Sequence, residues 1–164
     1  MNAIFEKLND TEYALLKDAI PQITILIAGA DGKISPSETS WAEKVTNIRS
    51  YSALEEYQEF YQEIGQTFHD RLEQLIAELP EDVAARQEKI SATLRPVNDI
   101  LHKLDPRHSA HLYNELLTFA RHVARAAGGF LKFWSVSAEE KKWIGLPMLD
   151  VFEFEEEVDE SAED

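Results

Sequence analysis

Apolar residues recur at steps of three and four along most of the chain, and the rhythm breaks at proline, glycine or serine. A first helix is predicted over 10–30 from Tyr13, Leu16, Ile20, Ile23, Ile27 and Ala30. Pro21 should kink it or begin a second segment, because proline removes one backbone bond. The run Ile-Thr-Ile-Leu-Ile at 23–27 also fits a buried strand, although no partner strand is apparent elsewhere. A second helix should open at Ser35-Pro36-Ser37-Glu38, with serine at the cap, proline at the first helical place and glutamate reaching back. Its apolar face is Trp41, Val45 and Ile48.

Ser52 and Glu55 form another capping box, predicting a third helix with a long stripe from Leu54 and Tyr57 to Leu75 and Leu79. Pro80 is expected to start a fourth, with Val83, Ile90, Leu94, Val97, Leu101 and Leu104 on one side and a kink near Thr93 imposed by Pro96. Asp105-Pro106 opens a fifth, built on Leu112, Leu116, Phe119, Val123 and Ala126 and stopped by Gly128-Gly129. Ser137-Ala138-Glu139-Glu140 is a third capping box, starting a last helix through Trp143, Ile144 and Met148. The expected architecture is all-α: one compact domain of six to seven helices over 1–152, followed by an acidic, disordered tail over 153–164.

Charge sharpens this picture. The 164 residues hold 31 acids and 16 bases, a net charge of −15. Eight acids and no base lie in the last twelve residues, and without them the body still carries −7, from 23 acids against 16 bases. Both values disfavour nucleic acid and anionic lipid, which need clustered Lys and Arg to displace counterions. A basic partner or a divalent cation is electrostatically easier. The chain has no cysteine, which excludes disulfides, thiolate metal sites and a cysteine nucleophile. No apolar run reaches transmembrane length. The opening MNAIFEKLNDTEY lacks a basic region followed by an apolar one, so a cytoplasmic protein is expected.

Two segments share a plan. Ile27-Ala28-Gly29-Ala30-Asp31-Gly32-Lys33-Ile34-Ser35-Pro36-Ser37-Glu38 is matched by Arg125-Ala126-Ala127-Gly128-Gly129-Phe130-Leu131, a short insertion, and Val136-Ser137-Ala138-Glu139-Glu140. Each runs from an apolar helix through small residues and a glycine turn to a hydrophobic residue, a serine and a following glutamate. Such a duplication points to two similar helical hairpins in one core.

The element Ala-Asp-Gly-Lys-Ile-Ser-Pro-Ser-Glu (30–38) resembles the signature of the tellurite-resistance TerB family, found also in the N-terminal domain of DjlA-type membrane co-chaperones. In that family a similar element occurs twice in an all-helical domain. The second copy here departs from the pattern, with Gly128 in the aspartate's place and a longer loop. The resemblance implies a role near metal-ion or membrane stress.

Residues 31–38 also have the spacing of the second half of an EF-hand loop: a carboxylate, glycine, an apolar residue and a terminal Glu. The first half is missing, because Ile27 and Gly29 stand where carboxylates are required. Asp31 and Glu38, joined by Glu139 or Glu140, still offer oxygen donors for a hydrated divalent cation (Ca²⁺, Mg²⁺, Mn²⁺ or Zn²⁺) if the hairpins face each other. The same residues have a purely structural account: Asp-Gly is a common turn pair, and Glu38 and Glu140 complete capping boxes.

His108, His111 and Glu115 lie at i, i+3 and i+7, and Asp99 and His102 form a D-x-x-H pair. No Glu-x-x-His pair of the di-iron type accompanies them, so they read as a solvated polar face. Nucleophile-elbow, zincin, P-loop and dinucleotide-binding motifs are absent. Phe130, Phe133 and Trp134 read as core, with a partner- or membrane-docking patch as the alternative. The sequence therefore predicts a TerB-like, stress-associated binding or scaffold module, not an enzyme, whose acidic junctions take a divalent cation. Its expected partner is a protein of basic or membrane-associated character. The alternatives are an interaction module with purely structural carboxylates and a metal-dependent helical enzyme.

Overall fold

The run at 23–27 is helical, and it is uninterruptedly apolar because its helix has neighbours on every side. In the computed structural model, which describes residues 3–30, 32, 34, 36–127 and 138–155, this is α1 (Asp10–Ala28). Of Ser37, Glu38, Trp41, Tyr51 and residues 126–127 and 138–140, the backbone alone is described. Around α1 pack α3 (Glu55–Glu78), α6 (Pro106–Ala127) and α4 (Val83–Leu94), together with α2 (Pro36–Ser52), α5 (Val97–Lys103) and α7 (Ala138–Ile144). The domain is all-α, with no strand among the described residues.

Pro21 neither splits α1 nor starts a new segment. Its cost, of order 3 kcal/mol in a helix interior, is outweighed by burial of every residue from 19 to 28. The start of α1 is an unforeseen capping box. Asn9 Oδ1 accepts from the Glu12 N–H at 2.9 Å, and Glu12 Oε2 accepts from the Asn9 N–H at 3.1 Å. Just before it, Ala3–Phe5 form a single 3-10 turn that stacks Phe5 on Phe60, with ring centroids 5.2 Å apart.

Two predicted helix starts move, and a predicted kink becomes a break. Ser52 does not cap α3 but ends α2, because the Ala53 N–H still reaches Arg49 O at 3.1 Å. The two-residue link then leaves Leu54 outside as the cap, 53% exposed rather than in the core. Pro80 does not open α4: Asp82 does, its carboxylate accepting from the Ala85 N–H at 2.9 Å. The kink expected near Thr93 is a full break at Pro96, which divides α4 from α5. Asp105 caps α6 as expected, accepting from the Arg107 N–H at 3.1 Å.

The last helix stops at Ile144, short of Met148. Leu146, at φ 45°, turns the chain back; its side chain is wholly buried, which holds a backbone conformation unusual for leucine. Met148, Leu149 and Phe152 then cover the core. Phe130, Phe133, Trp134 and tail residues 156–164 lie outside the described residues. Among the described residues no helix is long and apolar enough to cross a membrane.

Candidate functional site

The first acidic junction is set up by the end of α1. The Gly29 N–H bonds Ile25 O at 2.9 Å, and the Gly32 N–H bonds Gly29 O at 3.1 Å. Gly32 has φ +95°, a backbone region that side chains with a Cβ rarely adopt, so glycine at this position is a conformational requirement. Arg86 of α4 is 7% exposed. Its Nη2 donates to Gly29 O at 2.9 Å and its Nη1 to Glu81 O at 3.2 Å. One guanidinium thus ties the C-terminal end of α1 to the loop before α4, where the helix dipole favours a cation.

Arg86→Met is expected to cost about 1–2 kcal/mol in chemical denaturation. The loss stays moderate because Gly29 O keeps the Gly32 N–H and because a buried charge is removed together with its bonds. Arg86→Lys should recover little, since one ammonium does not reproduce the fork that spans both carbonyls.

Of the four predicted ligands, Asp31 lies outside the described residues. Glu38 falls in the first turn of α2, and Glu139 and Glu140 in the first turn of α7, with their side chains outside the described set. Among the described residues no three His, Asp or Glu side chains gather where they would hold a metal ion. An EF-hand is excluded on geometry as well: Ile27, at the loop's first place, is fully buried in α1. Gly29 O, near the third place, is occupied by Arg86.

The second junction leads into α7, which packs on α6 and α1. α4 also reaches it: Gln87, next to Arg86, lines a groove shared with Lys142 and Trp143 of α7. Neither Arg86 nor Gln87 figured among the predicted site residues. The signal was present, because both fall between Val83 and Ile90 on the stripe that faces the core, where apolar residues belong.

The histidine face of α6 is not a solvated surface but a seam against α3 and α2. Tyr57 Oη lies 2.6 Å from His108 Nδ1, and His111 stacks on the Tyr57 ring at 4.4 Å. Tyr61 Oη donates to Glu115 Oε2 at 3.0 Å. Arg49, 7% exposed, places Nε 3.4 Å from the same carboxylate oxygen and donates from Nη1 to Glu115 O at 3.1 Å. Its guanidinium also lies over the rings of Tyr61 and Phe119, at 5.6 and 5.4 Å. Burial pushes the Tyr61 phenol well above its ordinary value. Arg49, Glu115 and Tyr61 thus partner one another within the seam.

Burial lowers the pKa of His111 and of His122, and the charges of Arg49 and Arg125 add to the effect at His122. The ordinary value is near 6.5. The folded state therefore binds fewer protons than the unfolded chain below that value, and stability is present above it and lost as pH falls. The thermal midpoint is expected to drop between about pH 7 and pH 5, before carboxylates titrate. His111→Phe combined with His122→Leu should flatten that slope; an unchanged slope would place the proton uptake elsewhere.

Comparison of the chain with known protein families, with characterised proteins and with solved structures finds no match.

Proposed function

We propose that this protein is a TerB-like binding or scaffold module rather than an enzyme, and that its working end is where the two acidic junctions approach each other. The observation that carries this reading is the position of α4. Through Arg86 it holds the turn that leads to Asp31 and Glu38, and through Gln87 it faces α7, whose first turn carries Glu139 and Glu140. Contact between α1 and α7 supports the same proximity.

The ligand proposed is a hydrated divalent cation. Carboxylates and water are the donors left once Arg86 occupies Gly29 O, and that hard, incomplete oxygen set suits Ca²⁺, Mg²⁺ or Mn²⁺ better than Zn²⁺. Binding would bias the packing of the two hairpins and so the surface shown to a partner protein, with tellurite or membrane stress as the setting the resemblance implies.

Calorimetric titration of the full chain with each cation tests the reading. A saturable heat in or below the millimolar range, weakened about tenfold in Asp31→Ala, is the expected result. No saturable heat, or heat unchanged in Asp31→Ala, would leave an interaction module whose carboxylates only cap helices.

A further inference from the structure

The last described stretch, Asp150 to Glu155, runs without helix, turn or bend. Two residues of α5 hold its start. Asn98 donates from Nδ2 to Met148 O at 3.0 Å and accepts the Asp150 N–H on Oδ1 at 2.8 Å. His102 places Nε2 3.3 Å from Asp150 Oδ2. Phe152 is 9% exposed and packs on the rings of His102 and Tyr113, with centroids at 4.7 and 5.8 Å. The segment is thus laid against α5 and α6 and kept there by one aromatic anchor.

Beyond Asp150 the main chain is unpaired: no N–H or C=O of residues 151–155 has a protein partner among the described residues. In a straight segment successive N–H groups alternate between two edges. The Asp150 N–H faces α5, so those of Phe152 and Phe154 share that edge, and those of Val151, Glu153 and Glu155 form the opposite one. The sequence here, Val-Phe-Glu-Phe-Glu, is rich in strand formers. Val151, at 70%, is the most exposed large apolar residue among those described, and Phe154 is 45% exposed. Glu153 and Glu155 are exposed beside them, and residues 153–164 carry eight acids and no base.

An unpaired main-chain edge with exposed apolar side chains is a template for another strand. The acids select its occupant. A second copy of the segment would set carboxylate against carboxylate across the pair, whereas a strand bearing Lys or Arg gains at the same positions. We infer that residues 151–155 dock an extended, basic segment of a partner protein, which adds as a strand along the edge formed by Val151, Glu153 and Glu155. Phe152 and Asn98 are positioning residues: they hold the segment straight before the partner arrives, which spares part of the ordering cost that a free tail would meet. The site uses none of the junction carboxylates and stands or falls independently of cation binding.

The test is a nuclear magnetic resonance titration of the full chain in buffer containing EDTA, so that no divalent cation contributes. The probe is a synthetic heptapeptide of alternating lysine and valine. Its control alternates lysine with proline, which keeps the charge but removes every second N–H. Expected is a saturable movement of the 151–155 amide signals with the lysine–valine peptide alone. Solvent exchange should slow at Val151, Glu153 and Glu155 and stay unchanged at Phe152 and Phe154. Glu153→Gln combined with Glu155→Gln should weaken binding about tenfold, and Val151→Asn by a similar factor. Neither should move the thermal midpoint, because all three side chains are exposed. An equal response to both peptides, protection that ignores the alternation, or binding unchanged in these variants would overturn the assignment. Protection of the same alternate residues on raising the protein concentration alone would overturn it as well, because the edge would then belong to a second copy of the chain.

Discussion

Glu115→Leu is expected to lower the stability of the domain by about 2–3 kcal/mol, although this carboxylate lies 27% exposed and its sequence position reads as part of a solvated polar face. The substitution removes the acceptor of Tyr61 Oη and the counter-charge of Arg49 together. Arg49 cannot swing out to water, because its side chain is only 9% exposed and packs over Tyr61 and Phe119. It would be left as a buried charge with one carbonyl, Glu115 O, still bonded to it. The full penalty for breaking a buried pair, about 3–5 kcal/mol, is reduced by that carbonyl and by the partial exposure of Glu115. In a domain of this size the loss corresponds to a thermal midpoint roughly 5–10 °C lower.

A second variant separates charge from shape. In Arg49→Leu with Glu115→Leu the stranded cation is gone, and the double variant should be more stable than Glu115→Leu alone by at least ~1 kcal/mol. Simple additivity of the two single losses in urea denaturation would show that the pair is not coupled. In that case the seam would hold by packing and not by its ion pair.

Gly29→Val should be the other large effect. A Cβ at this position would stand 2.8 Å from Ile25 O and 2.9 Å from Arg86 Nη2, with Ile34 Cγ1 at 3.2 Å. The first of these is backbone of α1 itself and the second belongs to the guanidinium that anchors the turn, so neither yields cheaply. Overpacking of this kind costs about 1–3 kcal/mol, and a β-branched side chain sits at the upper end. The consequence reaches the proposed working end, because displacing Arg86 frees the chain that leads to Asp31. Gly29→Val is therefore expected to weaken cation heats as well as melting, whereas Glu115→Leu should lower melting and leave those heats unchanged. Equal loss of cation binding in both variants would mean that global destabilisation, and not the junction, controls the titration.

The helices were legible because their signals are local. Stripes such as Tyr57, Tyr61, Ile64, Phe68, Leu72 and Leu75 repeat at the helical period and are all buried. The cap at Asp105 needs only two residues to form its bond. Misplacements occurred where two local signals competed. Pro80 and Asp82 both mark a start, and the side chain with an acceptor won. Ser52 fitted a cap, but α2 had not yet finished. At residues 23–27 the helix was the favoured reading but a buried strand stayed open, since an apolar run says that a segment is surrounded without saying by what.

By itself, the sequence determined an all-α domain, most of its apolar faces and the glycine turn that ends α1. Each of these depends on residues within about four positions of one another, the range over which helical bonds and caps act. The tertiary structure alone decided which polar residues belong inside. Arg86 finds its carbonyl 57 positions away and Arg49 finds Glu115 66 positions away. Gln87 and Trp143 meet one groove from helices at opposite ends of the second half of the chain. A guanidinium or an amide on an apolar stripe is a defect or an anchor according to what faces it, and that partner is fixed only when the helices pack.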